Sequence, residues 1–461
     1  MKSEHFDVVF VGSGSGNMVL DERFENMRVA MIEKDVFGGT CLNRGCVPSK
    51  MFVMAADSAR VFETSSRLGV HGTLDHVDWK AIRDRVFSRI DPIAAGGRDY
   101  RLNQGHLTVF EGYGRFTGHK EMEVNGTRIT ADRWLLGAGA RPQIPEIPGL
   151  SDVTYETSDN IMRRDTLPER LIVLGSGFIA AELGHVFGAY GSHVSFVLRS
   201  GAFLRKLDSH ISSRFTQLYS DRFDVYPNST TTRVSQNGDI ITLEIEGPEG
   251  SVELTGDALL IATGRVPNGD QLNVEASGIA TDATGRRVLT NAELATNVDG
   301  IYAFGDLTNE MQLKHLANAE AKISSHNLLG LEKPRTIDRT YIPAAVFASP
   351  QIAWIGLSEE EAKQQYTDVV TVTHNYSDTA YGWALEDTTS FIKLIARRET
   401  DNLVGAYIIG PQASTLLQPI QQGMQLGASI KDMAENVYYT HPALTEVNEN
   451  ALLKLVVELK V

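Results

Sequence analysis

Short apolar runs, each closed by glycine or by a charged residue, recur along the chain. Phe6–Val11 is the first, and a run of this length bounded by turn residues is what a buried strand needs. It empties into Gly12-Ser13-Gly14-Ser15-Gly16-Asn17, and a helical stretch is expected to follow. Arg28–Ile32 reads as the next strand and stops on Glu33. Strand, glycine turn, helix, strand and acid is the order of a dinucleotide-binding unit. The order then repeats. Leu171–Leu174 reads as a strand, Gly175-Ser176-Gly177-Phe178-Ile179-Ala180 as the turn, Ala181–Tyr190 as the helix and Val194–Leu198 as the second strand. Both halves close alike, with Trp134-Leu135-Leu136 running into Gly137-Ala138-Gly139 and Leu259–Ala262 into Thr263-Gly264-Arg265. Ile301–Phe304 is one more strand, ending on Gly305-Asp306.

Elsewhere the period changes. Val47, Met51, Met54, Ala55 and Val61 are spaced for one face of a helix, with Pro48 placed as its first residue. Pro142, Pro145 and Pro148 stiffen the chain up to Gly149 and suggest a boundary near residue 150. Beyond residue 340, Ala344–Phe347, Ile352–Ile355, Phe391–Ala396 and Leu403–Ile409 read as strands between helices at about 358–365, 412–426 and 443–455. The expected fold class is α/β: two Rossmann-like dinucleotide-binding domains plus a C-terminal α+β domain. Residues 1–150 form the first unit, 151–268 the second, 269–339 a segment completing the first, and 340–461 the last.

Composition narrows the function. A formal net charge of −15 disfavours nucleic acid and anionic membrane as partners, because phosphate recognition needs a basic face. The N-terminus carries no secretory pattern and no apolar run is long enough to span a bilayer, so a cytoplasmic location is expected. There are only 2 cysteines in 461 residues, too few for a disulfide framework. They are also too few for a cysteine-based zinc site, so no metal is expected.

Both cysteines lie in Gly38-Gly39-Thr40-Cys41-Leu42-Asn43-Arg44-Gly45-Cys46-Val47-Pro48-Ser49-Lys50. In a reducing compartment such a pair is more often catalytic than structural. Cys46 stands by the helix start, where the helix dipole favours a thiolate. Cys41, in the turn before it, is free to face outward. A base near Cys41 would raise its thiolate fraction and protonate a leaving thiol, and His441 oriented by Glu446 is the strongest candidate. Glu33, 21 residues after Gly12, suits ribose hydroxyls. The corresponding strand of the second unit ends in Arg199, with Arg205 near it and no acid. That arrangement suits a 2′-phosphate and hence NADPH. Asp306 suits a ribitol hydroxyl of FAD.

Taken in order, Gly38–Lys50, the two glycine turns, Ala262-Thr263-Gly264-Arg265, Gly305-Asp306 and His441-Pro442…Glu446 resemble the FAD-dependent pyridine-nucleotide disulfide oxidoreductases, the group of glutathione reductase and dihydrolipoamide dehydrogenase. The resemblance covers essentially the whole chain. It implies FAD in the first unit, with Gly12, Gly14, Gly16, Glu33, Gly39, Thr40, Lys50, Gly114, Gly139 and Asp306 as binding residues. It implies NADPH in the second, with Gly175, Gly177, Ile179, Glu182, Arg199, Arg205, Gly264 and Arg265. It makes Cys41 the interchange thiol and Cys46 the thiol facing the flavin. The Lys50–Glu182 pair would lie near the flavin's reactive edge, and the substrate would be a small-molecule disulfide. It further implies a homodimer in which His441 and Glu446 serve the cysteines of the other subunit, with a candidate cis bond at His441–Pro442. Two features depart from the family pattern: Gly137-Ala138-Gly139 replaces the commoner Ala-Thr-Gly, and Arg44 lies between the cysteines, either tuning a thiol or touching substrate. A dehydrogenase working toward NAD is the nearest rival, and Arg199 and Arg205 speak against it. Mercuric reductase lacks support because no C-terminal cysteine pair is present. A redox-inert FAD sensor would leave Cys41, Cys46 and His441 without a joint purpose.

Overall fold

The computed structural model describes residues 2–460. The first unit opens with β1 (Lys2–Val11) and β2 (Val29–Glu33), followed by α1 (Gly39–Asn43), α2 (Cys46–Thr64) and α3 (Trp79–Leu102). It continues through β3 (Leu107–Glu111), β4 (Gly114–Gly118), β5 (Glu121–Val124), β6 (Thr127–Leu136) and β7 (Ala140–Pro142). β3-β2-β1-β6 run parallel in one sheet, to which β5 and β4 add an antiparallel edge. Every residue of β2 is buried, as expected of a strand covered on both faces.

The second unit contains β8 (Arg170–Leu174), α4 (Phe178–Ala189), β9 (His193–Val197), α5 (Ser209–Ser220) and β10 (Asp224–Tyr226). β11 (Thr230–Asn237), β12 (Ile240–Gly247) and β13 (Gly250–Gly256) form a separate antiparallel meander before β14 (Ala258–Ile261). β10-β9-β8-β14 is a parallel sheet. The chain then returns through β15 (Arg265–Pro267), which pairs with β7, and α6 (Gly269–Leu272). β16 (Ile301–Ala303) pairs with β6, so this segment rejoins the first sheet, and α7 (Lys314–Leu329) packs beside it.

In the C-terminal part, β17 (Ala344–Val346) and β18 (Ile352–Gly356) precede α8 (Glu359–Gln365), β19 (Val369–Asn375) and α9 (Ala380–Ala384). β20 (Phe391–Arg397) and β21 (Asn402–Ile409) complete the five-stranded sheet β17-β18-β21-β20-β19, antiparallel throughout. α10 (Ala413–Leu426), α11 (Ile430–Glu435) and α12 (Glu446–Leu459) follow, and α10 and α12 cover this sheet.

The two nucleotide units repeat one backbone device. Gly12 (φ +95°) and Gly175 (φ +134°) each end their first strand against the carbonyl of a neighbouring strand end. A Cβ would sit 2.4 Å from Gly137 O in one case and 2.2 Å from Ala262 O in the other. Glycine is required twice, at equivalent places, for the same reason.

One sequence expectation fails here. The stretch after Gly16 is not a helix of ordinary length but two 3₁₀ turns, Gly16–Val19 and Glu22–Phe24. The second is started by Asp21, whose carboxylate accepts from the Arg23 N–H. The buried Arg101 of α3 holds the first: its guanidinium donates to Asn17 O (2.5 Å), Asn17 Oδ1 (2.7 Å) and Leu20 O (3.2 Å). Carbonyls that a longer helix would satisfy internally are met by a side chain instead.

Candidate active site

The cysteine stretch folds as two consecutive helix starts. Cys41 lies inside the one-turn α1, and Cys46 is the first residue of α2. Pro48 is therefore the third helical residue rather than the first. A proline there still deletes no helical hydrogen bond, because the first N–H groups of a helix have no internal acceptor. Ser49 N–H makes the first bond of the turn, to Gly45 O at 3.0 Å. Cys41 is half-buried and Cys46 exposed, both as free thiols.

The two thiols act on each other. The hydrogen bond from Cys46 holds the Cys41 thiol down at about 7 against the opposing effect of burial, with help from the Lys314 and Lys50 ammonium groups. The same bond pushes Cys46 up. Among the protein's own groups, Cys41 is thus the favoured thiolate. Arg44, between the cysteines, is held by two carboxylates. Its guanidinium pairs with Asp35 (2.7 Å) and lies 3.7 Å from Asp159, clasping the cysteine stretch to the segment leading into the second unit.

Lys50 Nζ donates to Glu182 Oε2 at 2.5 Å and stands over the Phe347 ring. Glu182 Oε1 accepts the Phe347 N–H at 2.9 Å. One buried carboxylate of α4 thereby joins the cysteine helix to the stretch following β17.

The residues expected to hold FAD form a concave turn. Gly14 lies against Gly39, and Ser13 N–H and Oγ both donate to Glu33 Oε2 (2.8 and 2.7 Å). Glu33 Oε1 accepts from Asp35 N–H, so this carboxylate braces the turn and keeps lone pairs for ribose hydroxyls. Thr40 follows on the outer side of α1. Gly16 is buried against Phe304, and a Cβ at Gly139 would meet open space. Asp306 is raised by desolvation, opposed by Arg265 and Lys314, and no donor of another described residue bonds its carboxylate. An acceptor left in that condition fits a ligand hydroxyl, so the residues fit the flavin nucleotide. Gly114 opens β4 packed on Met122 and Ile32, where a Cβ would be 2.5 Å from sulfur.

In the second unit, Gly177 and Ile179 lie at the start of α4, beside open space at Gly177. Arg199 and Arg205 are exposed, and among the described residues no carboxylate pairs with either. Two uncommitted guanidiniums beyond a strand end fit a phosphate. Gly264 and Arg265 serve the hinge between units: Gly264 O accepts from Gln143 N–H, and Arg265 donates to Ala140 O at 2.6 Å.

His441 and Glu446 meet in the C-terminal domain. Nδ1 lies 2.7 Å from Glu446 Oε1, while Glu446 Oε2 accepts from Ala443 N–H at 3.1 Å. The imidazole is 71% exposed, and the peptide bond to Pro442 is cis. Beside it, Tyr438 projects fully into solvent and Val437 is half-exposed. One residue near this site had been given no role from the sequence. Lys314, at the start of α7, lies almost 300 residues from the first glycine turn, where its Nζ donates to Ser15 Oγ at 2.9 Å.

With this geometry in view, comparison with known proteins is decisive. Residues 6–321 match the pyridine nucleotide-disulphide oxidoreductase model, and residues 342–452 match the dimerisation domain of the same enzymes. The chain belongs to this family. It is 42% identical to mycothione reductase of Mycobacterium tuberculosis over 98% of this chain and 100% of the relative. It is 32% identical to mercuric reductase of Staphylococcus aureus over 94% of this chain and 79% of that one. Among solved structures, the Cu(II) complex of the HOCl-induced flavoprotein disulfide reductase RclA from Escherichia coli aligns with a TM-score of 0.85. That alignment has 26% identity and covers 98% of this chain and 100% of that one. The chain is therefore an oxidoreductase of the flavoprotein disulfide reductase type, with FAD and NADPH as cofactors and a disulfide as substrate. It carries the family's dimerisation domain and assembles as a homodimer. No helix of the described residues is long and apolar enough to cross a membrane.

Proposed function

We propose that this enzyme reduces mycothione, the disulfide of mycothiol, and that Cys41, Cys46, His441 and Glu446 carry the reaction. The observation behind the substrate is the end-to-end 42% identity to mycothione reductase. The cysteine count supports it against mercuric reduction, since no cysteine remains beyond Cys41 and Cys46 for a second metal-binding pair.

The reaction needs two electrons and two protons per disulfide. FAD, when bound, supplies the electrons drawn from NADPH. Cys41 thiolate attacks one substrate sulfur, the substrate S–S bond breaks, and a mixed disulfide to Cys41 forms. His441 of the partner subunit gives its Nε2 proton to the departing thiolate, its Nδ1 being engaged by the Glu446 carboxylate. Cys46 then attacks the Cys41 sulfur, which releases the second thiol and remakes the Cys41–Cys46 disulfide. The Lys50–Glu182 pair keeps a cation beside this exchange. Gly12, Gly14, Gly16, Glu33, Gly39, Thr40, Gly139 and Asp306 bind FAD in this reading; Gly175, Gly177, Ile179, Arg199 and Arg205 bind NADPH.

Sheet membership supports the same domain division: residues 1–150 and 269–339 for FAD, 151–268 for NADPH, and 340–461 for the dimer contact. The enzyme would work in the cytoplasm, where a reducing pool keeps such a pair catalytic. The test is NADPH oxidation with mycothione, glutathione disulfide and lipoamide offered separately. Turnover with mycothione is expected; activity with lipoamide alone would sink the proposal.

A further inference from the structure

The two nucleotide units set their glycine turns in different surroundings. In the second, Gly175-Ser176-Gly177 opens α4, a helix of 12 residues, and no lysine or arginine side chain of the described residues donates to that turn. In the first, the glycines lead only into 3₁₀ turns of 4 and 3 residues. Peptide dipoles add along a helix, so turns this short offer little positive field. Glu33, whose carboxylate is bonded to Ser13, adds negative charge. Two cations reach this turn instead. Lys314 Nζ, from the start of α7, donates to Ser15 Oγ at 2.9 Å. Arg101 of α3, only 6% exposed, donates to Asn17 O at 2.5 Å and to Asn17 Oδ1 at 2.7 Å. Ser15 and Asn17 flank Gly16, so the two cations bracket a single turn.

We propose that Lys314 and Arg101 supply the positive charge that receives the FAD pyrophosphate, in place of the helix dipole that α4 provides in the second unit. The inference rests on the proposed function, in that the first glycine turn is taken as the FAD site.

A pyrophosphate diester carries two negative charges. Bringing them out of water onto a turn that already holds Glu33 is unfavourable unless cations meet them. Both cations here are uncommitted. Every hydrogen-bond partner of Arg101 and Lys314 is neutral: one hydroxyl, two backbone carbonyls and two carboxamides. Burial works against the Arg101 charge, and no carboxylate is bonded to it in compensation. An anion on the turn removes that cost. Arg101 also holds the backbone of the turn, but a carbonyl accepts from any N–H, so that task alone does not call for a charge. Asp306 lies within the field of Lys314 without being its bonded partner. Sequence separations of 84 and 299 residues keep both cations out of any motif read around the glycines.

The test is the rate at which holoenzyme releases FAD in guanidinium below its unfolding transition. Flavin fluorescence reads the release, and far-UV dichroism shows that the fold is retained. Wild type, Lys314→Gln, Lys314→Arg, Arg101→Met and Arg101→Lys are compared. Each neutral variant is expected to release FAD about 10- to 100-fold faster, and each charge-retaining variant to stay within about threefold of wild type. Wild-type release from Lys314→Gln would overturn the proposal. So would release from Arg101→Lys as fast as from Arg101→Met, which would leave Arg101 as a scaffold of the turn alone. If Arg101→Met does not fold, the three Lys314 chains decide. Gly14→Val separates the cations from the site itself. The nearest atom to a Cβ there, Gly39 Cα, is 3.9 Å away, so the chain has room for a Cβ while the side chain intrudes on the concave turn. Fast release from Gly14→Val with wild-type release from Lys314→Gln would sink the cation assignment and keep the FAD site. Wild-type release from Gly14→Val would remove FAD from this turn, and the proposal with it.

Discussion

At the scale of residues, named neighbours shift the Cys41 thiol and the Glu446 carboxylate of the site. Cys41 is held at about 7, chiefly by the hydrogen bond from Cys46. The reactive form is the thiolate, so kcat/KM for the disulfide should fall as pH drops below about 7. The limiting slope should be one decade per pH unit, and a level profile between pH 6 and 8 would remove Cys41 from the rate-determining attack. Glu446 is held below the ordinary carboxylate range, first by His441 and then by the Ala443 N–H. A lowered carboxylate keeps its pair above the usual value and loses it only as pH falls through the depressed one. Any acid loss from Glu446 must therefore lie below that from Cys41, and the two limbs separate in one titration. Replacing His441 by Gln removes the proposed proton donor without touching the cysteines. Disulfide turnover should fall about 100- to 10,000-fold while the rate of flavin reduction by NADPH, measured anaerobically by stopped flow, stays near wild type. A Cys46→Ser chain should lose the long-wavelength thiolate–flavin absorption on anaerobic addition of NADPH. Persistence of that band would reverse the roles assigned to the two cysteines.

Elements explain which parts of this were legible in the sequence. β2, β8, β14 and the end of β1 announced themselves because both faces are covered there, so the strand reads as a short apolar run. The glycine turns were legible because backbone contacts at Gly12 and Gly175 admit nothing larger. α3 was missed: its 24 residues carry Pro92, Gly96 and Gly97, and a long exposed face dilutes the apolar stripe. The β11–β13 meander was missed because its outward positions are polar and its turns contain glycine and asparagine, so it reads as loop. The 3₁₀ turns after Gly16 depend on Arg101, more than eighty residues away, which no local window contains. The same limit hides the contact between the second unit and the C-terminal sheet. Asp208, the N-cap of α5, is fully buried and pairs with Lys393 of β20 at 2.8 Å, and Glu359 approaches the same ammonium at 2.6 Å. Lys393→Met should lower stability by about 3–5 kcal/mol, because it strands buried carboxylate charge. Lys393→Met with Asp208→Asn should recover much of the loss. Thermal melts of the three chains decide this. Arg199 and Arg205 belong to the loop after β9. Changing either to Ala should raise KM for NADPH about 10- to 100-fold and leave KM for NADH nearly unchanged, which steady-state kinetics with the two nucleotides would reveal.

At the scale of the molecule, one question outranks the others: whether an active site belongs to one chain or to two. Within one chain, His441 and Glu446 lie in the C-terminal domain on an exposed surface beside Tyr438, while Cys41 and Cys46 belong to helices of the first unit. A base 71% exposed, with its carboxylate partner already in place, has the orientation to act but no thiol of its own to act on. Two-fold symmetry supplies two such bases and two cysteine pairs, and each site would draw one of each from opposite subunits. The arrangement can be tested by mixing defects. A Cys41→Ser chain and a His441→Ala chain should each be nearly inactive as homodimers. In a hybrid of the two, sites built across the interface fall into unequal halves: one receives both defects, and the other receives Cys41 from one chain and His441 from the other, intact. Random assortment makes about half of the dimers hybrids with one working site each, so co-expression should restore about a quarter of wild-type activity. If each site were contained in a single chain, every site in every dimer would carry one defect, and co-expression would restore nothing.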